Sequence, residues 1–221
     1  MIKAILFDLD ETLIDRAETM RRFLMAQHGL FPELSAHSSA AFSDACLVHQ
    51  DNGYADKLGA YASACKDLGF TDSSLAERLF ADFKDRYGRD SVPFPGVSET
   101  LKLLQSQYRI GLVSNGRTKG QTAKIESCGI RGFFSSICIS ESFGYKKPEV
   151  AIFKACLEEL SVVPSEAVFI GDNPVADIEP AKKLGMFAIW VKNANFPAPE
   201  ICDGVITNIS ELPSIIQSLP N

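Results

Sequence analysis

Residues 7–14 read Phe-Asp-Leu-Asp-Glu-Thr-Leu-Ile and continue an apolar run that begins at Ile5. Such a run is typical of a buried strand in a parallel sheet, and it places Asp8, Asp10 and Thr12 at the end of that strand. Two carboxylates at the mouth of a sheet are costly to bury unless a cation or a reacting group uses them. An acidic turn in which Thr12 starts a helix would also explain the segment. The choice between a functional site and an ordinary turn therefore depends on the motifs in the remainder of the chain.

Beyond residue 100, short apolar segments alternate with amphipathic ones. This alternation predicts strands over residues 109–114, 137–140, 167–171, 187–191 and 204–206. It predicts helices over residues 119–128, 150–160 and 175–184, with glycines at the positions where helices commonly end. Together with a first strand over residues 2–7, the pattern predicts an α/β fold, a doubly wound parallel sheet of the Rossmann-like kind.

Residues 15–92 interrupt this alternation and carry no convincing strand. Apolar side chains recur at helical spacing over residues 75–87, and residues 54–68 have the pattern of another amphipathic helix. The stiff segment Pro93-Phe94-Pro95-Gly96 follows and is suited to a hinge or a domain boundary. We therefore predict two domains, a core formed by residues 1–14 and 93–221 and a helical cap domain formed by residues 15–92.

The composition is that of a globular protein with a small acidic excess. Of the 221 residues, 46% are hydrophobic and 23% are charged, and the formal net charge is -6. This charge argues against binding a nucleic acid polymer, although a small phosphorylated ligand needs only a local cluster of donors. No segment approaches the ~20 apolar residues of a membrane span, and Lys3 breaks the apolar amino terminus, so neither a membrane protein nor a signal peptide is expected. Six scattered cysteines favour buried free thiols and a cytoplasmic protein.

Polar residues also follow three later strands of the predicted sheet. They occur in Ser114-Asn115-Gly116, in Lys146-Lys147-Pro148, and in Gly171-Asp172-Asn173 with Asp177 five residues after Asp172. Each segment has an ordinary explanation when taken alone: a turn, a solvated lysine, and a helix cap. Because ligands of open parallel sheets bind beyond the carboxyl ends of the strands, we expect these groups to converge with Asp8.

The converging groups have the chemistry of a phosphoryl-transfer site. The Ser114 hydroxyl and nearby main-chain N–H groups can cradle phosphate oxygens, and the Lys147 ammonium can neutralise a transferring phosphoryl group. Mg²⁺ needs only one or two carboxylates, such as that of Asp172, beside a substrate phosphate. Because a further aspartate remains to serve as acid or base, the pattern predicts transfer through an aspartyl-phosphate.

The chain resembles the haloacid dehalogenase (HAD) superfamily, in the branch with a helical cap inserted after the first motif. Four motifs match in order: Asp-x-Asp-x-Thr at residues 8–12, Ser114 after an apolar strand, Lys147-Pro148, and Gly-Asp-x-x-x-x-Asp at residues 171–177. The resemblance implies that Asp8 is the nucleophile and a magnesium ligand. It implies that Asp10 is the acid for the leaving oxygen and then the base for water, and that its main-chain carbonyl also binds the metal. Thr12 would orient Asp10.

The resemblance assigns the remaining motif residues to phosphate and metal binding. Ser114 and the Asn115 amide would hold the phosphoryl oxygens, and Lys147 would neutralise their charge. Asp172 would bind Mg²⁺ directly. The residues expected to support the metal indirectly are Asp177 and Asn173.

The superfamily includes several other reactions, and the residues present separate some of them. Dehalogenases of this fold lack the second aspartate, because displacing a halide from carbon needs no acid, so Asp10 argues against dehalogenation. A phosphonatase needs a cap lysine, and Lys57 and Lys66 are available, although an exposed helix lysine explains either. A phosphosugar mutase shares every core residue used here. A catalytically silent phosphate-binding regulatory protein would usually have lost Asp8 or Asp10.

Substrate choice is expected to lie in the cap. The polar or aromatic candidates there are Arg16, Arg21, Arg22, His28, Asn52 and Tyr54. The Ser-Asn-Gly-x-Thr and Ile-Ser-Glu-x-x-Gly segments are similar to those of nucleotide 5′-phosphatases and acylneuraminate 9-phosphatases, with phosphoglycolate phosphatases close behind. The expected ligand is a small phosphorylated metabolite, such as a nucleoside monophosphate or a sugar phosphate, and the expected assembly is a monomer or a homodimer.

Overall fold

A computed structural model describes residues 1–51 and 55–220. The chain forms two compact units, one of Met1–Arg16 with Ser91–Asn221 and one of Ala17–Asp90. The strands are β1 (Ala4–Phe7), β2 (Ile14–Asp15), β3 (Val92–Pro93), β4 (Arg109–Ser114), β5 (Ser136–Ile139), β6 (Ala167–Gly171), β7 (Phe187–Val191) and β8 (Gly204–Ile206). The α-helices are α1 (Arg16–His28), α2 (Ser39–Val48), α3 (Lys57–Asp67), α4 (Ser73–Arg86), α5 (Val97–Gln105), α6 (Thr118–Ser127), α7 (Ser140–Phe143), α8 (Val150–Glu159), α9 (Glu179–Lys183) and α10 (Leu212–Ser218).

The first unit is built on a six-stranded parallel sheet in the order β5-β4-β1-β6-β7-β8. Strand β1 lies in the middle, and its residues alternate between two cores. Ile5 and Phe7 pack with α5, α6 and α10 on one face, and Ala4 and Leu6 pack with α8 and α9 on the other. All four side chains are fully buried. Burial on both faces explains why the strands are continuously apolar, and the predicted doubly wound fold is confirmed.

The predicted strands over residues 109–114, 167–171, 187–191 and 204–206 match β4, β6, β7 and β8. Two short strands were missed. Asp15 and Val92, at the two ends of the segment predicted to hold no strand, pair antiparallel in β2 and β3. That prediction was wrong at its ends, because a two-residue pairing between distant segments leaves no periodic signal in the sequence.

The predicted helix over residues 175–184 is also different. A π-helical turn, Pro174–Ile178, precedes α9. Asn173 caps this turn, since its Oδ1 accepts from the main-chain N–H groups of Val175 and Ala176, both at 3.0 Å. The main-chain N–H of Ile178 reaches the Asn173 carbonyl over five residues, at 3.4 Å. Such turns occur often at functional sites.

The second unit is helical and has a core of its own, drawn from α1, α2, α3 and α4. Its centre contains a buried polar side chain, Gln27. The Nε2 of Gln27 donates to the carbonyl of Leu79 at 2.9 Å and to Asp82 at 2.8 Å, and its Oε1 accepts from the Tyr61 hydroxyl at 2.9 Å. These bonds fix the register of three helices against one another. Among the described residues, no helix has the length and apolarity needed to cross a membrane.

Candidate active site

The carboxyl edge of the sheet brings together three of the predicted site residues. Ser114 ends β4, Asp8 follows β1, and Asp172 follows β6. These strands are direct neighbours, in the order β4-β1-β6. All three side chains are buried. The convergence expected from the strand ends is therefore present in the structure.

The Lys147 ammonium lies between two carboxylates. It donates to Oδ1 of Asp8 at 2.5 Å and to Oδ1 of Asp177 at 2.7 Å. All three side chains are less than a tenth exposed. Burial opposes the charged form of Lys147, but Asp177 and Asp8 outweigh it and raise the lysine pKa. Lys147 is therefore a fixed cation beside the expected nucleophile.

Asn115 places the Lys147 backbone. Its Nδ2 donates to the Lys147 carbonyl at 2.9 Å, and its Oδ1 accepts from the Lys147 main-chain N–H at 2.8 Å. The side-chain amide of Asn115 is thus engaged with the protein. A contact between Asn115 and a phosphoryl oxygen would have to come from its main-chain amide.

Three carboxylates form a cluster that could hold a divalent cation. Oxygens of Asp8, Asp172 and Asp177 all lie within 4.8 Å of one another. Burial raises the pKa of Asp8 to about 7, although Lys147 opposes this, and the charge of Asp177 adds to the increase. Burial and the charges of Asp8 and Asp177 raise the pKa of Asp172 to about 8. Raised pKa values of this kind arise where buried carboxylates lie close together, and a cation bound between them would favour their ionised forms. Carboxylate oxygens are hard donors, which suit Mg²⁺.

Two side chains hold Asp172, one from strand β7 and one from the loop that follows it. Trp190 Nε1 donates to the Asp172 carbonyl at 2.7 Å, and Asn193 Nδ2 donates to Oδ2 of Asp172 at 2.7 Å. The bond from Asn193 holds the orientation of the Asp172 carboxylate. Hydrogen bonds of this kind orient metal ligands in proteins.

Asp177 contacts the site through Lys147 and the turn that follows Asp172. Its Oδ2 accepts from the Asn173 main-chain N–H at 3.0 Å, and its Oδ1 accepts from Lys147. Gly171 makes this approach possible, because a Cβ there would lie 2.5 Å from Oδ2 of Asp177. Asn173 is the cap of the π-helical turn, so Asp172 is not used as a cap.

Asp10 is held by α6. Lys124 Nζ lies 2.6 Å and 2.8 Å from the two carboxylate oxygens of Asp10, and Gln121 Nε2 donates to Oδ2 at 2.9 Å. Burial alone would raise the pKa of Asp10, but the charges of Lys124 and Arg16 outweigh it and lower that pKa. The Thr12 hydroxyl, which was expected to orient Asp10, is buried and has no hydrogen-bond partner among residues 1–51 and 55–220. In this structure the contacts that orient Asp10 come from Lys124 and Gln121.

Comparison with known protein families identifies the family to which the chain belongs. Residues 5–191 match the family described as haloacid dehalogenase-like hydrolase. The chain belongs to the haloacid dehalogenase-like hydrolases. The predicted membership of the HAD superfamily is confirmed, and the chain is a hydrolase by family.

Relatives of known name match over nearly the whole length. A glyceraldehyde 3-phosphate phosphatase of Pyrococcus furiosus is 30% identical, over 98% of this chain and 93% of its own. The N-acylneuraminate-9-phosphatase of Mus musculus is 26% identical, over 99% of this chain and 95% of its own. The HAD-hydrolase YfnB from Bacillus subtilis, solved bound to magnesium, superposes with a TM-score of 0.73 at 22% identity, over 97% and 98% of the two chains, and so shares the fold.

Four residues of the site in this HAD hydrolase were not predicted from the sequence, namely Gln121, Lys124, Trp190 and Asn193. A signal for two of them was present, because Gln121 and Lys124 are three residues apart and therefore share one face of a predicted helix that follows the Ser114 motif. Asn193 and Trp190 carried no such signal, since strand β7 ends in no recognisable motif.

Several candidates for reading the leaving group bind within their own unit. Arg22 pairs with Glu18 at 2.8 Å, and Arg21 lies 3.6 Å from Asp44. Nε2 of His28 contacts two main-chain carbonyls, those of Leu34 and His37. Arg16 acts on the pKa of Asp10. Asn52 and Tyr54 lie outside the described residues.

Proposed function

We propose that this HAD hydrolase is a magnesium-dependent phosphatase that releases phosphate from a small phosphorylated metabolite through an aspartyl-phosphate on Asp8. The observation that carries the proposal is the position of Asp8. Its buried carboxylate lies 2.5 Å from the Lys147 ammonium and within 4.8 Å of the carboxylates of Asp172 and Asp177. The Lys147 ammonium is a fixed positive charge beside this nucleophile, and a cation held by the carboxylates would add a second, so both would offset the negative charge of an incoming phosphate.

The proposed reaction has two displacements at phosphorus. An oxygen of Asp8 attacks the phosphorus, the bond to the leaving oxygen breaks, and Asp10 supplies a proton to that oxygen. A water then attacks the phosphorus of the aspartyl-phosphate while Asp10 takes its proton, which regenerates Asp8 and releases phosphate. Ser114 holds a phosphoryl oxygen, and Lys147 neutralises the charge on the transferring group.

The carboxylates of this chain suit a magnesium ion. Asp8 and Asp172 would hold it, with the main-chain carbonyl of Asp10, and Asp177 would act through Lys147 and through water. Burial raises the pKa values of Asp8 and Asp172 to about 7 and about 8, so a divalent cation would favour their charged forms. When bound, magnesium would polarise the phosphoryl group and offset its charge.

The names of the relatives support a proposal for the substrate class. Glyceraldehyde 3-phosphate and N-acylneuraminate 9-phosphate are both phosphate monoesters of small carbohydrate-derived molecules. The relatives named for these two compounds match nearly the whole chain. We infer a small sugar or sugar-acid phosphate for this protein, with nucleoside monophosphates as the second class to be tested. The helical unit is the proposed cap that would choose among them.

Alternative reactions give different products. A phosphosugar mutase would move the phosphoryl group to another hydroxyl and release no phosphate. A phosphonatase would need a cap lysine as an amine nucleophile; Lys57 Nζ donates to the Ala55 carbonyl at 3.0 Å, and Lys66 is exposed. A silent binding protein would hold phosphate without turnover.

The test is phosphate release, with magnesium, from a panel of sugar phosphates, sialic acid 9-phosphate, phosphoglycolate and nucleoside monophosphates. Wild type is compared with Asp8→Asn and with Asp90→Asn, which makes the same chemical change at an exposed position. We expect release that Asp8→Asn abolishes and Asp90→Asn leaves unchanged. Release that survives Asp8→Asn would remove the covalent mechanism, and no release from any compound would favour a mutase or a binding protein.

A further inference from the structure

The general acid of the proposed reaction, Asp10, forms an ion pair with a buried lysine. Nζ of Lys124 contacts both carboxylate oxygens of Asp10, at 2.6 Å and 2.8 Å. The Lys124 side chain is only 5% exposed, whereas that of Asp10 is 23% exposed. A lysine is rarely buried to this extent unless a partner holds its charge, and here Asp10 is that partner.

A neighbouring side chain on the same helix connects Asp10 to the phosphate-binding serine. Gln121 Nε2 lies 2.9 Å from Oδ2 of Asp10, 2.7 Å from Oγ of Ser114, and 3.1 Å from the carbonyl of Asn115. Gln121 is 4% exposed. One buried amide group therefore sets the spacing between the residue that would hold a phosphoryl oxygen and the residue that would deliver the proton.

Gly116 makes room for Gln121. A Cβ at this position would lie 3.1 Å from Cδ and from Cγ of Gln121. The backbone of Gly116 has a φ of +140°, which residues other than glycine rarely adopt. The turn after β4 thus allows the Gln121 side chain to reach Ser114 and Asp10 together.

We propose that Lys124 and Gln121 are positioning residues that hold the Asp10 carboxyl group for proton transfer to the leaving oxygen. The inference rests on the proposed function. Lys124 does not touch the substrate; it acts through Asp10. Contact with Lys124 favours the carboxylate form of Asp10 in the resting protein, so Asp10 first takes up a proton from solvent. In the step concerned, the O–H bond of Asp10 then breaks, a bond forms between that proton and the leaving oxygen, and the electrons of the breaking P–O bond stay with the leaving oxygen. Misplacing the carboxyl group raises the barrier to this transfer, because general acid catalysis depends on hydrogen-bond geometry.

The dependence on leaving group separates positioning from general damage. An alkyl phosphate, such as glycerol phosphate, needs a proton on its leaving oxygen, whereas the leaving group of p-nitrophenyl phosphate departs as a stable phenolate without one. We expect Lys124→Met to lower kcat/KM for the alkyl ester about tenfold or more and for the aryl ester less than about threefold. The ratio kcat/KM is the right quantity, because it excludes the later attack of water in which Asp10 acts again. Lys154→Met, the same change at an exposed site on α8, is the control and should alter neither value.

A double-mutant cycle supplies the second test. If Lys124 works through Asp10, then Lys124→Met has no further effect on the alkyl ester once Asp10 is replaced by Asn. Gln121→Leu carries the same comparison in case Lys124→Met fails to fold, which thermal unfolding would reveal. Equal losses for both esters, a gain in activity, or additive effects in the cycle would overturn the inference while leaving the phosphatase intact. Absence of Asp8-dependent release from both esters in wild type would overturn the proposed function itself.

Discussion

Asn115 and Lys147 are bonded to each other twice although they are 32 residues apart in the chain. The side-chain amide of Asn115 closes a ring with the main-chain N–H and carbonyl of Lys147. This ring ties the loop after β4 to the loop that follows α7. The ammonium that contacts Asp8 therefore starts from a fixed backbone.

Replacing Asn115 by Ala removes both bonds and keeps the main-chain amide of residue 115. We expect kcat/KM to fall about tenfold or more, because a small displacement of Lys147 weakens the interaction with a transferring phosphoryl group. The free energy of unfolding should fall by about 1–3 kcal/mol, since two hydrogen bonds are lost. Steady-state kinetics and thermal unfolding measure the two effects. Unchanged kinetics in a folded variant would show that the ring does not set the position of Lys147.

We predict that the position of the Asp177 side chain requires glycine at residue 171. A Cβ at residue 171 would lie 2.5–2.6 Å from three atoms of Asp177, so Gly171→Ala must push that side chain away from Lys147. We expect a loss of about 1–3 kcal/mol in the free energy of unfolding and a marked loss of activity. Gly120→Ala is the matched control, because a Cβ there meets nothing within 4 Å and alanine favours the helix. Stability of Gly171→Ala equal to that of Gly120→Ala would contradict the close contact.

Magnesium binding should depend on pH in the neutral range. Without the metal, the pKa of Asp8 is about 7 and that of Asp172 about 8. Because a metal binds the ionised carboxylates, each must release its proton on binding, and the affinity should fall as the pH falls below 8. We expect at least about a tenfold weaker affinity at pH 6 than at pH 8. Calorimetric titration with MgCl₂ at the two pH values measures it, and equal affinities would contradict the raised pKa values.

The same shifts predict how the metal-free protein responds to removal of a carboxylate. The folded pKa of Asp172, about 8, lies above its usual value of 3.8. Stability from its neutral form is therefore fully present below pH 3.8 and is lost as the pH rises through 8. Asp172→Asn keeps a neutral group at all pH values. We expect it to raise the melting temperature of metal-free protein at pH 9 and to raise it much less at pH 5, where wild type has lost only a small part of this stability.

Magnesium supplies the control for this variant. The ion should stabilise wild type at pH 9 and have little effect on Asp172→Asn, because binding to the folded state alone raises stability. Thermal unfolding with and without chelator measures both effects. A lower melting temperature for metal-free Asp172→Asn at pH 9 would mean that Asp172 stabilises the fold as a charged group, contrary to the direction of its pKa.

Much of the fold was predictable because it depends on local pattern. Four of the predicted strands have the observed bounds, since strands buried on both faces are short apolar runs with polar ends. The two strands β2 and β3 were not predictable, because each has two residues and is defined by its distant partner. The π-helical turn before α9 was also missed, because the difference between it and an α-helix is one hydrogen-bond register at Asn173.

The candidate site was predictable to the extent that it follows strand ends. Asp8, Ser114 and Asp172 were expected to converge because each follows or ends a parallel strand, and the carboxyl ends of such strands lie on one edge. The contact of Thr12 with Asp10 was expected from the resemblance and is absent among the described residues. That difference is physical, since α6 offers Asp10 a charged partner that a hydroxyl cannot match.

Local sequence patterns are enough to predict the layers of the first unit and the set of chemical groups at the edge of its sheet. Both are properties of short segments: periodic burial makes the strands, and the residues after each strand face the same side. Which of those groups come into contact depends on the tertiary fold. Lys124 and Asp10 are 114 residues apart, and Lys147 and Asp8 are 139 apart. Distances of 2.5–2.8 Å across such separations depend on how helices and loops pack on the sheet, and no local pattern records that packing.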